Sequence, residues 1–164
     1  MEYEHIVHSF EPVYDKDSEI LILGTLPSVK SRENNFYYGH KQNRFWKVLA
    51  TLLKEPVPDT IEEKKAMLLA HRIALWDVIQ SCDIKGSSDS SIKNVVANDI
   101  GRVLSEAPIR QIFVNGQTAF KLYKKYVFPE TGVMPVCLPS TSPANAAWNM
   151  ERLTEAWQVI VRES

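Results

Sequence analysis

The stretch ILILGTLP, residues 20–27, decides the class of fold. Its first four residues, Ile20 to Leu23, are all apolar, so the strand that they predict must be buried on both faces. Gly24 and Pro27 then end the strand and begin a loop. A strand buried on both faces is typical of a parallel sheet that is covered by helices on both sides.

Similar apolar segments alternate with stretches of helical periodicity along the rest of the chain. Three further strands are predicted, at residues 72–79, 110–116 and 134–139. Helices are predicted at residues 44–55, 60–69, 94–106, 117–126 and 143–161, with Thr60 and Ser142 as N-caps and Pro143 as a first helical residue. The Ser/Gly/Asp-rich stretch 81–91 is predicted to be a mobile loop. The pattern predicts an α/β fold, a three-layer α/β/α sandwich with a small, mostly parallel four-stranded sheet, and one domain over residues 1–164.

Composition narrows the class of protein. Of 164 residues, 45% are apolar and 24% are charged, as in ordinary globular domains. No apolar run approaches a membrane span, and the acidic N-terminal stretch has no hydrophobic signal core. We therefore expect a cytoplasmic monomer without membrane contact, associated with the nucleoid if the source is a prokaryote.

The net charge and the number of cysteines argue against two further classes of protein, strongly basic nucleic-acid binders and proteins with a four-cysteine metal site. The net charge of −1 argues against an unselective, strongly basic nucleic-acid binder, although residues 30–47 hold five Lys and Arg against one Glu and leave room for a local basic groove. Cys82 and Cys137 form no C-x-x-C pair and are too few for a four-thiolate cluster. We expect neither a metal nor a cofactor.

The candidate site lies in the loops that leave the carboxyl ends of the strands, where ligands bind in such folds. The first loop contains FYYGHKQNRFW, residues 36–46, which mixes five aromatic rings with cationic and amide side chains. The other loops bring Asp77, Asn115 and the segment LPSTSPAN, residues 138–145. They contain no activated nucleophile, no P-loop lysine and no paired acids. Aromatic rings, amides and hydroxyls suit a nucleobase flipped out of DNA, which needs a stacking face and partners for its polar edge.

Four motifs together carry a resemblance to a known family: GTLPS (24–28), FYYGH (36–40), NRFW (43–46) and LPSTSPAN (138–145). With them the chain resembles the uracil-DNA glycosylase superfamily. The first three match the mismatch-specific uracil/thymine-DNA glycosylases in spacing, but Leu26 stands where that branch has its water-positioning asparagine. The combination is most similar to the hypoxanthine-DNA glycosylase branch, also called DNA-deoxyinosine glycosylases, in which the NRFW asparagine is taken to supply the catalytic amide.

The resemblance implies a role for each matching position. Asn43 would be catalytic and would orient the attacking water. Tyr38 would stack on the extruded base, in a base-binding site with Phe36, Tyr37, Asn115 and Leu26. The DNA backbone would be gripped by residues from two loops, namely Ser28, Ser31, Arg32, Ser140, Ser142, Pro143 and Asn145. The partner would be DNA containing a deaminated base.

Several alternatives stay open at the level of sequence. Asn43 is also a good helix N-cap, Tyr38 an ordinary half-buried tyrosine, and Asn115 a plain turn residue before Gly116. His40 is expected to be structural, and Asp77 a helix cap rather than a base. At the level of function, the alternatives are a uracil or G·T/G·U mismatch glycosylase, a non-catalytic nucleic-acid-binding module, and a hydrolase of free nucleosides.

Overall fold

The computed structural model describes residues 2–7, 10–26, 36–39, 42–86 and 89–162. The strands are β1 (Glu4–Val7), β2 (Ile20–Gly24), β3 (Ile73–Asp77), β4 (Ile79–Ile84), β5 (Lys93–Ala97), β6 (Gln111–Asn115) and β7 (Val136–Leu138). The helices are α1 (Phe45–Leu53), α2 (Ile61–Ala70), α3 (Ile100–Glu106), α4 (Gln117–Tyr126), α5 (Phe128–Thr131), α6 (Met150–Trp157) and α7 (Val159–Arg162), with a 3₁₀ turn at Asp89–Ser91. No helix within these ranges is long and apolar enough to cross a membrane.

The central sheet has four parallel strands in the order β3-β2-β6-β7. Every residue of β2 is buried, as its apolar run predicts. Gly24 lies opposite Asp77, and Asn115 lies opposite Leu138. The carboxyl ends of the four strands therefore meet at one edge of the sheet, which confirms the predicted α/β class.

The first helix fixes the loop before it to the core. Phe45, Trp46, Val48 and Leu49 on α1 are all buried, each contributing roughly 1.5–3 kcal/mol of hydrophobic stabilisation. The Phe45 ring also meets the edge of Trp157 on α6, with centroids 5.9 Å apart. The prediction that Phe45 and Trp46 are core residues is confirmed.

The predicted start of α2 is also confirmed. Thr60 Oγ1 accepts a hydrogen bond from the Glu63 backbone N–H at 3.0 Å, and the Glu63 carboxylate accepts one from the Thr60 N–H at 3.0 Å. This reciprocal capping box satisfies two N–H groups that would otherwise lack partners.

The structure contains a second sheet, and two sequence predictions fail there. Strands β1, β4 and β5 form an antiparallel sheet, so residues 81–84 are strand rather than loop, and the helix predicted from Asn94 begins only at Ile100. The reason is tertiary: Cys82 and Ile84 are buried in a small cluster with residues of β1 and β4. Asn98, the residue after β5, donates to the backbone carbonyls of Asp77 and Ile79.

The predicted closing helix is also shorter than expected. It begins at Met150 with Asn149 as its N-cap, whose Oδ1 accepts from the Arg152 N–H at 2.8 Å. Ser142 is not an N-cap, because its Oγ accepts from the Ala144 N–H within a turn. The Ser142 and Asn145 carbonyls accept from the backbone N–H groups of Asn145 and Trp148, each three residues ahead, and also from the Arg44 guanidinium, so this segment forms turns and not an α-helical ladder.

Candidate active site

Asn115, the last residue of β6, holds the loop after β7 against the sheet. Its Oδ1 accepts from the Thr141 backbone N–H at 3.1 Å. Its Nδ2 donates to Thr141 Oγ1 at 3.0 Å and to the Tyr38 hydroxyl at 3.3 Å. A buried asparagine with three internal contacts does more than form a turn before Gly116.

Asn43 reaches the same threonine from the other side. Its Oδ1 accepts from Thr141 Oγ1 at 2.8 Å and from the Phe45 backbone N–H at 3.0 Å. Asn43 precedes Arg44, the N-cap of α1, and its side chain accepts from the first N–H group of that helix. The same side chain belongs to a polar network. We call Asn43, Thr141, Asn115 and Tyr38 the amide network.

Thr141 joins the two asparagines, and sequence reasoning missed it. Its side chain is fully buried, and it is the shared partner of residues that lie 98 and 26 positions away. In the sequence it is one hydroxyl among several in LPSTSPAN. The available signal was its place in the loop that follows the fourth strand of the parallel sheet, beside the other strand ends.

Tyr38 lies on the edge of this network. Its half-buried ring is stacked on Phe45, with centroids 4.0 Å apart and planes at 21°. Its backbone is in the left-handed region with φ of 53°, which is uncommon for a bulky residue and typical of functional or tightly constrained positions. Burial first, and then the charge of Asp77, raises the pKa of Tyr38, so the hydroxyl stays protonated and neutral.

Gly24 allows the polar groups at this edge to approach the backbone. A Cβ at that position would lie 2.4 Å from Asp77 Oδ1 and 2.7 Å from the Tyr38 hydroxyl. Only glycine fits such an approach without displacement. Asp77 itself is buried, and only one residue separates it from β4. The prediction that it caps a helix is therefore wrong.

Phe36 and Tyr37, predicted to shape the wall of a base pocket, are buried. Phe36 stacks on Trp46 with centroids 6.1 Å apart. The Tyr37 hydroxyl donates to the Glu11 carbonyl at 2.8 Å, and its own carbonyl accepts from Trp46 Nε1 at 3.1 Å. The structure thus shows them anchoring the chain before Tyr38, and their contact with a base stays a prediction.

Leu26, predicted in the base site, lies against the antiparallel sheet. It is partly buried on the cluster of Ile6, Ile79, Cys82 and Ile84. Its packing explains an aliphatic residue at this position, whereas its contact with a base stays a prediction.

Arg44 joins the first loop to the segment 139–149, which we call the last loop. Its backbone N–H donates to the Thr141 carbonyl at 3.1 Å. Its guanidinium donates to the carbonyls of Ser142 at 2.8 Å, Asn145 at 3.2 Å and, through Nη1, Trp148. The five N–H donors of a guanidinium suit such a cluster of carbonyls. The Arg44 charge, counted above toward a basic groove, is used inside the protein.

We call the set of Arg44 bonds to the last loop the Arg44 clamp. The predicted DNA-binding residues of the last loop form a turn at this clamp. Ser140 Oγ accepts from the Ser142 N–H at 3.1 Å, and Asn145 Nδ2 donates to the Ser140 carbonyl at 3.0 Å. Pro143 is exposed at the turn. The predicted contacts of these four residues with DNA stay predictions, and the remaining candidates, Ser28, Ser31 and Arg32, lie outside the described residues, as does His40.

Comparisons with known proteins agree with this fold. The model of the Uracil DNA glycosylase superfamily matches residues 11–161. A hypoxanthine DNA glycosylase of Methanosarcina acetivorans is 36% identical over 159 residues, covering 96% of this chain and 99% of the relative. One of Methanosarcina barkeri is 34% identical over 110 residues, covering 66% and 70%.

A solved structure shares the fold over nearly the whole chain. It is the solution NMR structure of a Methanosarcina acetivorans protein assigned provisionally as a uracil DNA glycosylase. The TM-score is 0.81 at 34% identity, with 95% of this chain and 96% of the other covered. With the family model spanning nearly all of the chain, these matches establish that the protein belongs to the uracil DNA glycosylase superfamily, a family of DNA glycosylases.

Proposed function

We propose that this protein is a monofunctional DNA glycosylase that removes hypoxanthine, a deaminated base, from DNA at the start of base excision repair. The observation that carries the proposal is the amide network, which brings Asn43 to the carboxyl ends of β6 and β7. Two relatives named hypoxanthine DNA glycosylases, at 36% and 34% identity, support this choice of base.

The site offers what a flipped base requires. Tyr38 has one ring face on Phe45 and would offer the other to the base. Both Nδ2 hydrogens of Asn115 are used within the amide network, whereas its Oδ1 accepts only one hydrogen bond in the described part of the chain. The second lone pair of that oxygen can accept from a ring N–H of the base.

The reaction needs positioning rather than strong acid–base chemistry. The C1′–N9 bond breaks with its electron pair on the departing purine, and the sugar passes through an oxocarbenium-like state. A water held by Asn43 forms the new bond to C1′, and one of its protons ends on the base. The products are free hypoxanthine and an abasic site. Because the resemblance places no lysine as a nucleophile, we expect no strand cleavage by the enzyme.

The last loop would bind the DNA backbone near the lesion. Its exposed turn carries hydroxyl and amide side chains, and the Arg44 clamp holds its backbone in place. Phosphate contacts displace counterions, so lesion binding should weaken with salt. Binding that is insensitive to salt would contradict backbone contacts by these residues.

Base release from labelled duplexes tests the proposal. The duplexes carry one deoxyinosine, one deoxyuridine or one G·T mismatch, and alkali reveals abasic product on a gel. We expect cleavage at deoxyinosine that collapses in Asn43→Ala. Cleavage only at deoxyuridine or the mismatch would replace the substrate, and lesion binding without any base release would favour a non-catalytic module.

Free deoxyinosine separates the remaining alternative. A DNA glycosylase should leave the nucleoside intact under conditions that fully process the duplex, because backbone contacts contribute to binding. Comparable turnover of the free nucleoside would indicate a nucleoside hydrolase instead.

A further inference from the structure

We propose that Thr141 is a positioning residue that fixes the Asn43 amide so that its Nδ2 group, a hydrogen-bond donor, is the group presented to the reaction. The proposal deepens the function proposed above and rests on it. It assigns a role to a residue that the sequence motifs did not single out.

The direction of each hydrogen bond in the amide network follows from groups that can only donate. The Phe45 backbone N–H can only donate, so the atom facing it at 3.0 Å must be the Asn43 oxygen. The Thr141 backbone N–H likewise requires the Asn115 oxygen at 3.1 Å. Asn115 Nδ2 therefore faces Thr141 Oγ1 as a donor.

The single hydroxyl hydrogen of Thr141 then has one destination. Its Oγ1 accepts from Asn115 at 3.0 Å and donates to Asn43 Oδ1 at 2.8 Å. Because both asparagine orientations are fixed by backbone N–H groups, the threonine hydroxyl links them in one direction only. The chain of hydrogen bonds runs from Asn115 through Thr141 to Asn43.

This arrangement fills the Asn43 oxygen. An amide oxygen has two lone pairs, and here they accept from Thr141 and Phe45. Within the described ranges, the Nδ2 group of Asn43 makes no hydrogen bond. Asn43 can therefore hold a water by donating to its oxygen, whereas accepting a proton from it would require breaking an existing bond.

Burial explains why the threonine hydroxyl matters. Thr141 is fully buried. If its hydroxyl is removed, the Asn43 oxygen and Asn115 Nδ2 each lose a hydrogen-bond partner, and water cannot readily take its place. The Asn43 amide then keeps only its bond to Phe45 and is free to rotate. Misplacement of about 1 Å at a reacting group costs roughly 100-fold in rate.

Two variants at position 141 test the positioning role. Thr141→Val keeps the shape and removes the hydroxyl, whereas Thr141→Ser keeps the hydroxyl. We expect the single-turnover rate on the deoxyinosine duplex to fall roughly 10- to 100-fold in Thr141→Val, with Kd for the duplex within about twofold, and Thr141→Ser to restore most of the rate. An unchanged rate in Thr141→Val, or a loss confined to Kd, would overturn the proposal.

Substitution of Asn43 distinguishes a donor from an acceptor. Asn43→Asp keeps an oxygen for Thr141 and Phe45 but has no N–H. We expect this variant to release base as slowly as Asn43→Ala at pH 8. As the pH is lowered, the carboxyl becomes protonated and regains a donor, so its rate relative to wild type should rise about tenfold per pH unit. Wild-type rates for Asn43→Asp at pH 8 would show that the oxygen is the working group.

A measurement without substrate separates this proposal from the proposed function. In ¹⁵N-labelled protein, the side-chain amide of Asn43 is identified by its loss in Asn43→Asp. We expect its two proton signals to move in Thr141→Val and to stay in place in Thr141→Ser. Unmoved signals in Thr141→Val would overturn the positioning role, whereas a wild-type protein that releases no base would overturn the proposed function alone.

Discussion

The Tyr38 ring lies on the Phe45 ring, with centroids 4.0 Å apart and planes at 21°. Phe45 is fully buried as the first residue of α1. One face of Tyr38 is thus fixed by the core, and only the other face remains for a base. Tyr38, which is proposed to bind the base, therefore packs on the first residue of the helix that Asn43 precedes by two positions.

Phe45→Leu should loosen this stack. We expect a loss of about 1–3 kcal/mol in the free energy of unfolding in urea, together with weaker binding of a deoxyinosine duplex, because Tyr38 loses its fixed face. Phe113→Leu in the buried middle of β6 is the matched control. It should lose similar stability and keep wild-type Kd, and equal Kd losses in both variants would contradict the role of the stack.

Arg44→Lys should release the last loop. A single ammonium cannot reach the carbonyls of Ser142, Asn145 and Trp148 together. We expect a loss on the order of 2 kcal/mol in urea unfolding and a fall in the rate of base release. Lys47→Gln, an exposed change on the same helix, should alter stability by less than about 0.5 kcal/mol. Wild-type stability for Arg44→Lys would show that the clamp is dispensable.

Gly24→Ala should disturb the strand end beneath the site. The added Cβ would lie 2.4 Å from Asp77 Oδ1 and 2.7 Å from the Tyr38 hydroxyl, so both must move. We expect a loss of about 1–3 kcal/mol and weaker lesion binding. The control is Gly101→Ala on α3, where the nearest atom would be 3.4 Å away and alanine should stabilise the helix by about 0.5–1 kcal/mol. Unchanged binding in Gly24→Ala would mean that Tyr38 tolerates the shift.

Stability should fall at alkaline pH through the buried Tyr37 and the half-buried Tyr38. Burial first, and then the charge of Asp77, raises the pKa of both Tyr37 and Tyr38 above the ordinary value of 10.0. A tyrosine whose pKa is raised by folding contributes its full stabilisation to the folded state below pH 10. That stabilisation is lost as the pH rises, at up to about 1.4 kcal/mol per pH unit for each tyrosine. Urea unfolding between pH 8 and 11 should show this fall, and Tyr38→Phe should reduce its slope. An equal slope in wild type and variant would exclude Tyr38 as a source.

Local sequence patterns predicted the elements that positions close in the chain define. The apolar run at 20–23, the Thr60 N-cap and the inner stripe of α1 all appear where expected. The expectation that Asn43, in the loop between β2 and α1, and Asn115, at the end of β6, lie at one edge of the sheet followed from the rule that ligand-binding loops leave the carboxyl ends of parallel strands.

The failures share one cause, which is long-range partnership. Residues 81–84 begin a Ser/Gly/Asp-rich stretch, yet Cys82 and Ile84 are buried in one cluster with Ile6 of β1, which lies 76 and 78 positions away. The segment after Ser142 has a helical pattern, yet it forms turns whose carbonyls also accept from Arg44, about 100 positions away. Local propensity is a weak prior when tertiary contacts compete with it.

The sequence by itself determined the parallel sheet, the family and the identity of the candidate amide, because these depend on apolar periodicity and on motifs within short stretches. Tertiary structure alone decided which atoms of that amide are available. The sequence places Thr141 in the loop after the last strand of the sheet but does not single it out, since its role depends on meeting Asn43 and Asn115 at hydrogen-bond distance. A hydrogen bond has a direction, and an amide oxygen has only two lone pairs with which to accept. Only the folded chain shows which of these lone pairs are already occupied.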